Sequence, residues 1–201
     1  LTCDENGFAE TKAMPYGIYT VRQVSGWEDR ELMPDFDVYI SQNGATYRYL
    51  INNANFESYI KVIKTDAETG KTIPYAGAAF QIYNPDGSLV SMTFTYPTVT
   101  TIDTFYTNAD GYLVTPEKLP YGDGYSIVEV QAPYGYTLNA EPVYFSITQD
   151  GSTEEGGVTV VEVERSNMAQ KGVINISKTG EVFSTVTEAN GVYQPVYEVQ
   201  G

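Results

Sequence analysis

The chain repeats itself, and the repeat limits what it can fold into more than any other feature. Met14-Pro15-Tyr16-Gly17-Ile18-Tyr19-Thr20-Val21-Arg22-Gln23-Val24 returns as Leu119-Pro120-Tyr121-Gly122, followed by Tyr125-Ser126-Ile127-Val128-Glu129-Val130. A turn precedes each copy, Asp4 to Gly7 in one and Asn108 to Gly111 in the other. An alternating apolar run follows each, Phe36, Val38 and Ile40 in one and Val143, Phe145 and Ile147 in the other. Asn53 also precedes Lys64 by the same spacing as Asn167 precedes Lys178. Two signals in one order, about 110 residues apart, describe tandem modules. They divide the chain into residues 1–58, the later half of one module, 59–170, a whole module, and 171–201, the opening of a third.

A module of that size must be built from short strands. Tyr, Thr, Val and Ile are abundant, Gly and Pro punctuate the chain throughout, and no stretch sustains a helical period. The fold class is all-β, a tandem array of β-sandwich modules, one complete and two partial. In the central module the pattern predicts strands near 59–65, 78–83, 88–94, 103–107, 111–114, 124–131, 142–148 and 157–165. Asn84-Pro85-Asp86-Gly87 reads as a hairpin turn between the second and third of these. The Asp-rich turns lack the ligand spacing of a calcium loop.

Charge and composition remove several function classes. The net charge of −15 opposes binding to a phosphate backbone or an anionic membrane surface. No run approaches the roughly 18 apolar residues of a membrane span. Cys3 is the sole cysteine, so no intramolecular disulfide or thiolate metal cluster is expected. The absence of histidine removes Ser-His and Cys-His catalysis and His-ligated zinc. No metal or cofactor is expected. With neither a secretory leader nor a sorting signal, the chain reads as an interior segment of something longer.

Three stretches resemble a known family, the Cna B-type or SpaA-type prealbumin-like modules of Gram-positive pilins and adhesins. They are Lys64-Thr65-Asp66-Ala67-Glu68-Thr69-Gly70-Lys71 with Ala76 to Tyr83, Leu119 to Tyr136, and Ser166-Asn167 before Lys171-Gly172. The resemblance implies a cell-surface stalk, outside a Gram-positive cell, whose modules carry an intramolecular isopeptide bond. Carried over, it pairs Lys64 on the first strand with Asn167 on the last, with Glu129 on a central strand as proton shuttle. Side chains alternate along a strand, so Ile60, Val62 and Lys64 share one face while Lys61 turns to solvent. Tyr125, Ile127 and Glu129 likewise share a face. The face of Asn167 stays open, because valines occupy both sides of 158–167. Burial favours the neutral amine that such a reaction needs. The acid would polarise the Asn167 carbonyl and shuttle protons while the amine attacks and ammonia leaves.

The upstream module departs from this pattern. Asn53 matches Asn167, but Gln23 stands where Glu129 is expected, and an amide cannot shuttle a proton. Ile174, Ile176 and Lys178 read as the opening strand of the third module. If the tail of one copy packs on the head of another, or of its own chain, Lys178 would approach Asn53 with little bonding. The expected partners are therefore neighbouring modules and, through the ends of this segment, a second copy. The alternative function is a ligand-binding adhesin module for a host protein or glycan, for which Trp27 and Tyr134 are the leading aromatic candidates. Turnover catalysis is not expected, since no carboxylate pair of glycosidase type stands out.

Overall fold

The computed structural model describes residues 1–177 and 180–200, all of them strand, turn or irregular segment. Two compact units are present, Leu1–Ala169 and Gln170–Gly201. The first unit opens with an antiparallel pair, β1 (Gly17–Val21) and β2 (Phe36–Ile40), with Tyr19 opposite Val38. This pair is the first copy of the repeated motif.

The central module follows as β3 (Glu57–Asp66), β4 (Ala79–Tyr83), β5 (Met92–Phe94), β6 (Thr100–Ile102), β7 (Phe105–Tyr106), β8 (Tyr112–Val114), β9 (Leu119–Pro120), β10 (Gly122–Gln131), β11 (Val143–Ile147), β12 (Thr153–Glu155) and β13 (Val158–Asn167). One sheet runs β11-β10-β4-β7, and the other runs β12-β13-β3-β8 with β9 also on β3. Between them lies a core of Ile60, Val62, Phe80, Ile82, Leu113, Ile127, Val161 and Val163. The first and last strands, β3 and β13, are parallel neighbours, with Val62 beside Val163 and Lys64 beside Arg165. Such adjacency of sequence-distant strands needs the whole module between them as a crossover.

Most of the anticipated strands are present, with bounds shifted by a few residues. The run 88–94 differs more. After the turn at Asn84–Gly87, the ladder with β4 ends at Leu89 and Val90, and the chain leaves to form a separate ribbon, β5 with β6. Threonines favour that ribbon, and the hydroxyls of Thr93 and Thr101 meet at 3.0 Å. Strands β6, β9 and β12 were not anticipated; at two or three residues each, they carry too little alternation to read.

The second unit is a single hairpin, β14 (Gly180–Ala189) with β15 (Val192–Gln200). Asn190 and Gly191 make its turn with φ of 55° and 78°, the sign that a two-residue hairpin loop demands of both residues. Residues 171–177 form no strand, which corrects the expectation of an opening strand at 174–178; Lys178 itself lies outside the described residues. In the central module the equivalent strand is ordered by ladders on both sides, to β13 and β8. Among the described residues the second unit has a counterpart of neither ladder, and a strand is held by such ladders.

Candidate cross-linking site

Lys64 lies near the end of β3, where the alternation of the strand turns Ile60, Val62 and Lys64 into the core and Lys61 outward. Lys61 pairs with Glu155 at 2.6 Å and Glu162 at 2.9 Å on the outer face. The backbone of Lys64 is fixed on both sides, donating to the carbonyl of Gly111 at 2.9 Å and accepting from Ile73 at 2.8 Å. Gly111 is irreplaceable here. Its φ is 83°, and a Cβ would sit 1.9 Å from the Ile73 carbonyl oxygen.

Three side chains meet at the end of the core. Lys64 is 0 % exposed, and Glu129 and Asn167 are each 1 % exposed. Glu129 arrives from the facing sheet on β10, in the row Tyr125, Ile127, Glu129. Asn167 ends the inward row Val161, Val163, Arg165, Asn167 of β13, which settles the face that the sequence left open. Nζ of Lys64 stands 3.1 Å from Oε1 of Glu129 and donates to the carbonyl of Arg165 at 3.0 Å. Nδ2 of Asn167 donates to Oε2 of Glu129 at 2.6 Å and to the carbonyl of Thr137 at 2.7 Å. The carboxyl group therefore bridges the amine and the amide. It touches the amide nitrogen and not the carbonyl oxygen expected from sequence. Two acceptors converge on that end of Asn167, so the donor end must face them. Burial, the largest influence, pushes the Lys64 amine below the ordinary lysine value; the Glu129 charge opposes this, and the Arg165 charge adds to it.

Sequence reasoning missed the frame around these groups. Asn139 donates its backbone N–H to Oε2 of Glu129 at 3.0 Å. Arg165, 7 % exposed, donates through Nη2 to the carbonyls of Asn139 and Glu141, each at 2.6 Å. Its signal was masked: Arg165 follows Val161 and Val163 in one row, two residues before Asn167, but Val158 and Val160 give the other face of the strand the same apolar character.

Residues 58–164 match a family model described as the SpaA prealbumin-like fold domain. The chain belongs to that family. Among solved structures it is similar to the Bacillus anthracis TIE protein, at 26% identity and a TM-score of 0.48, over 83% of this chain and 28% of that one. It is similar also to the Bacillus cereus major pilin subunit BcpA*(D312A), at 26% and 0.40, over 56% of this chain and 29% of that one. A third is GBS52, the minor pilin of Streptococcus agalactiae, at 18% and 0.44, over 88% and 70%. The chain spans less than a third of the length of the first two. No curated protein matches it.

Residues 23–54 of this SpaA-family chain hold a second version of the same frame. Nδ2 of Asn53 donates to Oε1 of Gln23 at 2.7 Å and to the carbonyl of Glu31 at 2.7 Å. The backbone N–H of Met33 donates to Oε1 of Gln23 at 3.0 Å, as Asn139 does to Glu129. Even the flanking backbone bond is repeated: Glu31 to Ala54 at 2.9 Å, and Thr137 to Met168 at 2.9 Å. Ile51 occupies the position of Arg165, and the lysine of this region, Lys12, is exposed and outside any strand. Trp27 and Tyr134 are both exposed, and Trp27 borders an open depression with Arg30, Ile51 and Asn53. Among the described residues, no group of three or more acids and cysteines is arranged to hold a metal ion.

Proposed function

We propose that this chain is a structural segment of a Gram-positive cell-surface adhesin or pilin, whose central module closes itself with a Lys64–Asn167 isopeptide bond. The observation that carries the reading is the carboxyl of Glu129, buried between the lysine amine and the asparagine amide with one oxygen on each. Desolvation supplies a neutral amine at Lys64, which is nucleophilic. As Nζ bonds to Cγ of Asn167, Oε1 of Glu129 takes a proton from Nζ. The carboxyl group then passes that same proton to Nδ2, the Cγ–Nδ2 bond breaks, and ammonia leaves. Glu129 ends as it began. The reaction occurs once, and its product is part of the fold.

Mechanics gives the bond its purpose. Tension enters a stalk module at β3 and leaves at β13. With Lys64 joined to Asn167, the load passes directly between these two parallel strands, and residues 65–166 carry none of it. Closing a loop of that length also contributes roughly 4–5 kcal/mol by analogy with disulfides. Unlike a disulfide, the link resists reduction.

Intact mass tests the reading. The chain is expected to weigh about 17 Da less than its sequence, the mass of one ammonia. Lys64→Ala and Glu129→Ala are each expected to retain that ammonia. A wild-type mass equal to the unmodified sequence would sink the proposal. The second reading, recognition of a host protein or glycan, is favoured by the exposure of Trp27 and Tyr134. Loss of binding on a glycan or matrix-protein array in Trp27→Ala and Tyr134→Ala would support it.

A further inference from the structure

We propose that Arg165 is a positioning residue of the cross-linking site: clamped to the loop that holds Glu129 and set beside Lys64, it supplies the fixed positive charge that balances Glu129. The inference rests on the cross-linking reading and adds a residue to it.

The geometry places Arg165 at the junction of all three reacting groups. On the paired strands it is the direct neighbour of Lys64, and its own carbonyl receives the Lys64 amine at 3.0 Å. On β13 it lies two residues before Asn167, on the same inward face. Through space its guanidinium reaches the carbonyl of Asn139, whose N–H in turn reaches Oε2 of Glu129. One residue of backbone thus links the cation to the carboxylate. Nε of Arg165 is buried with no hydrogen-bond partner among the described residues, so part of its charge is left uncompensated by direct bonds.

That placement determines which group gives up a proton. The charged groups facing Lys64 are Glu129 from β10 and Arg165 from β13; β4 contributes the Phe80 ring, 5.9 Å from Nζ, and β8 contributes Tyr112 to Leu113 without formal charge. A buried site with two cations and one carboxylate carries an excess positive charge, which desolvation penalises. A guanidinium keeps its proton inside proteins, whereas an ammonium can lose one. Lys64 is therefore the group that becomes neutral, and the carboxylate keeps a counterion that does not compete as nucleophile. The upstream frame agrees. Where Gln23 replaces the acid, Ile51 replaces the arginine, so both charges are missing together.

The test follows ammonia loss by intact mass in the freshly translated full chain, transferred to buffers spanning about pH 5 to pH 9. In wild type the rate should rise with pH through a midpoint. Arg165→Gln can still donate to a carbonyl but has no charge; its midpoint should move to higher pH and its rate near neutrality should fall roughly tenfold. Arg165→Lys keeps the charge with a poorer fork, and should react at the wild-type midpoint within roughly threefold of its rate. A uniformly slower Arg165→Gln with an unmoved midpoint would overturn the proposal, because the residue would then only brace the loop. If Arg165→Gln does not fold, Arg165→Lys decides alone, and its failure to react overturns it. A wild-type chain that never loses ammonia instead refutes the cross-link itself, a different outcome from either.

Discussion

The frames around Asn53 and Asn167 share the same hydrogen bonds and differ in their charges. In each, an asparagine amide donates to a backbone carbonyl and to a side-chain oxygen, and that oxygen also receives a backbone N–H. The downstream frame adds Glu129, Lys64 and Arg165, where the upstream frame has Gln23, no strand lysine and Ile51. Orientation of the asparagine therefore comes from a backbone carbonyl and a side-chain oxygen present in both frames, and does not depend on whether that oxygen belongs to Glu129 or to Gln23. On the cross-linking reading proposed above, the two frames differ by a set of buried charges, each costly alone and tolerable only together.

Converting the downstream frame into the upstream one should have the largest effect. Glu129→Gln can still accept from Asn139 and Asn167 but cannot carry a proton. It is expected to keep its ammonia and to lose the roughly 4–5 kcal/mol of loop closure. For a module of this size that corresponds to a melting temperature lower by roughly 20–35 °C. Glu129→Gln with Lys64→Met completes the neutral pattern of the upstream frame and removes the unpaired buried amine. It should recover about 1–3 kcal/mol of the single variant's loss. Calorimetry on the two variants checks both statements, and a double variant less stable than the single one would show that the charges also hold the fold.

The legibility of the molecule divides along the same line. Inward rows such as Ile60, Val62, Lys64 and Tyr125, Ile127, Glu129 are period-two patterns, so their strands and the inward direction of both charges were readable. The repeat made Gln23 and Asn53 readable as a pair before any geometry was known. Thr137, Asn139 and Glu141 were not readable, because they act through backbone groups that any residue supplies. Arg165 was missed because the valines at 158, 160, 161 and 163 fall on both sides of β13, which hides its inward row. In the second unit, the pattern of Ile174 and Ile176 suggested a strand that only a neighbouring ladder could order. The Asn190-Gly191 turn, a local signal, formed a hairpin instead.

A smaller effect comes from pH, and its sign is fixed by burial. Asn167→Ala cannot be linked, so Lys64 stays a titratable amine facing Glu129. In the fold its affinity for a proton is lowered, chiefly by desolvation, while in the unfolded chain it returns to the ordinary lysine value of 10.5. Between those two values the unfolded chain binds more protons, so stability should rise with pH and level off near the ordinary lysine value. Adding Lys64→Met should flatten that rise. The difference between the two denaturation curves across pH isolates Lys64 from the many tyrosines; parallel curves would mean that Lys64 stays charged when buried.

The smallest effect is expected from the reverse exchange, Gln23→Glu, which gives the upstream frame its acid. The new carboxylate would still accept from the N–H of Met33 and from Nδ2 of Asn53, since Gln23 already uses an oxygen for both. The exchange would lose the donor bond from Nε2 to the carbonyl of Ser25, at 3.1 Å on an exposed segment. One exposed hydrogen bond lost, with a charge gained at a half-buried position, amounts to about 1 kcal/mol or less. Mass should not change beyond the substitution, because Lys12 is exposed and outside any strand and no other lysine precedes Lys61 in this chain. An ammonia lost from Gln23→Glu but not from wild type would mean that an amine reaches Asn53 after all, and that the acid alone separates the two frames. Thermal denaturation and intact mass of this single variant therefore decide whether the upstream frame lacks one component or several.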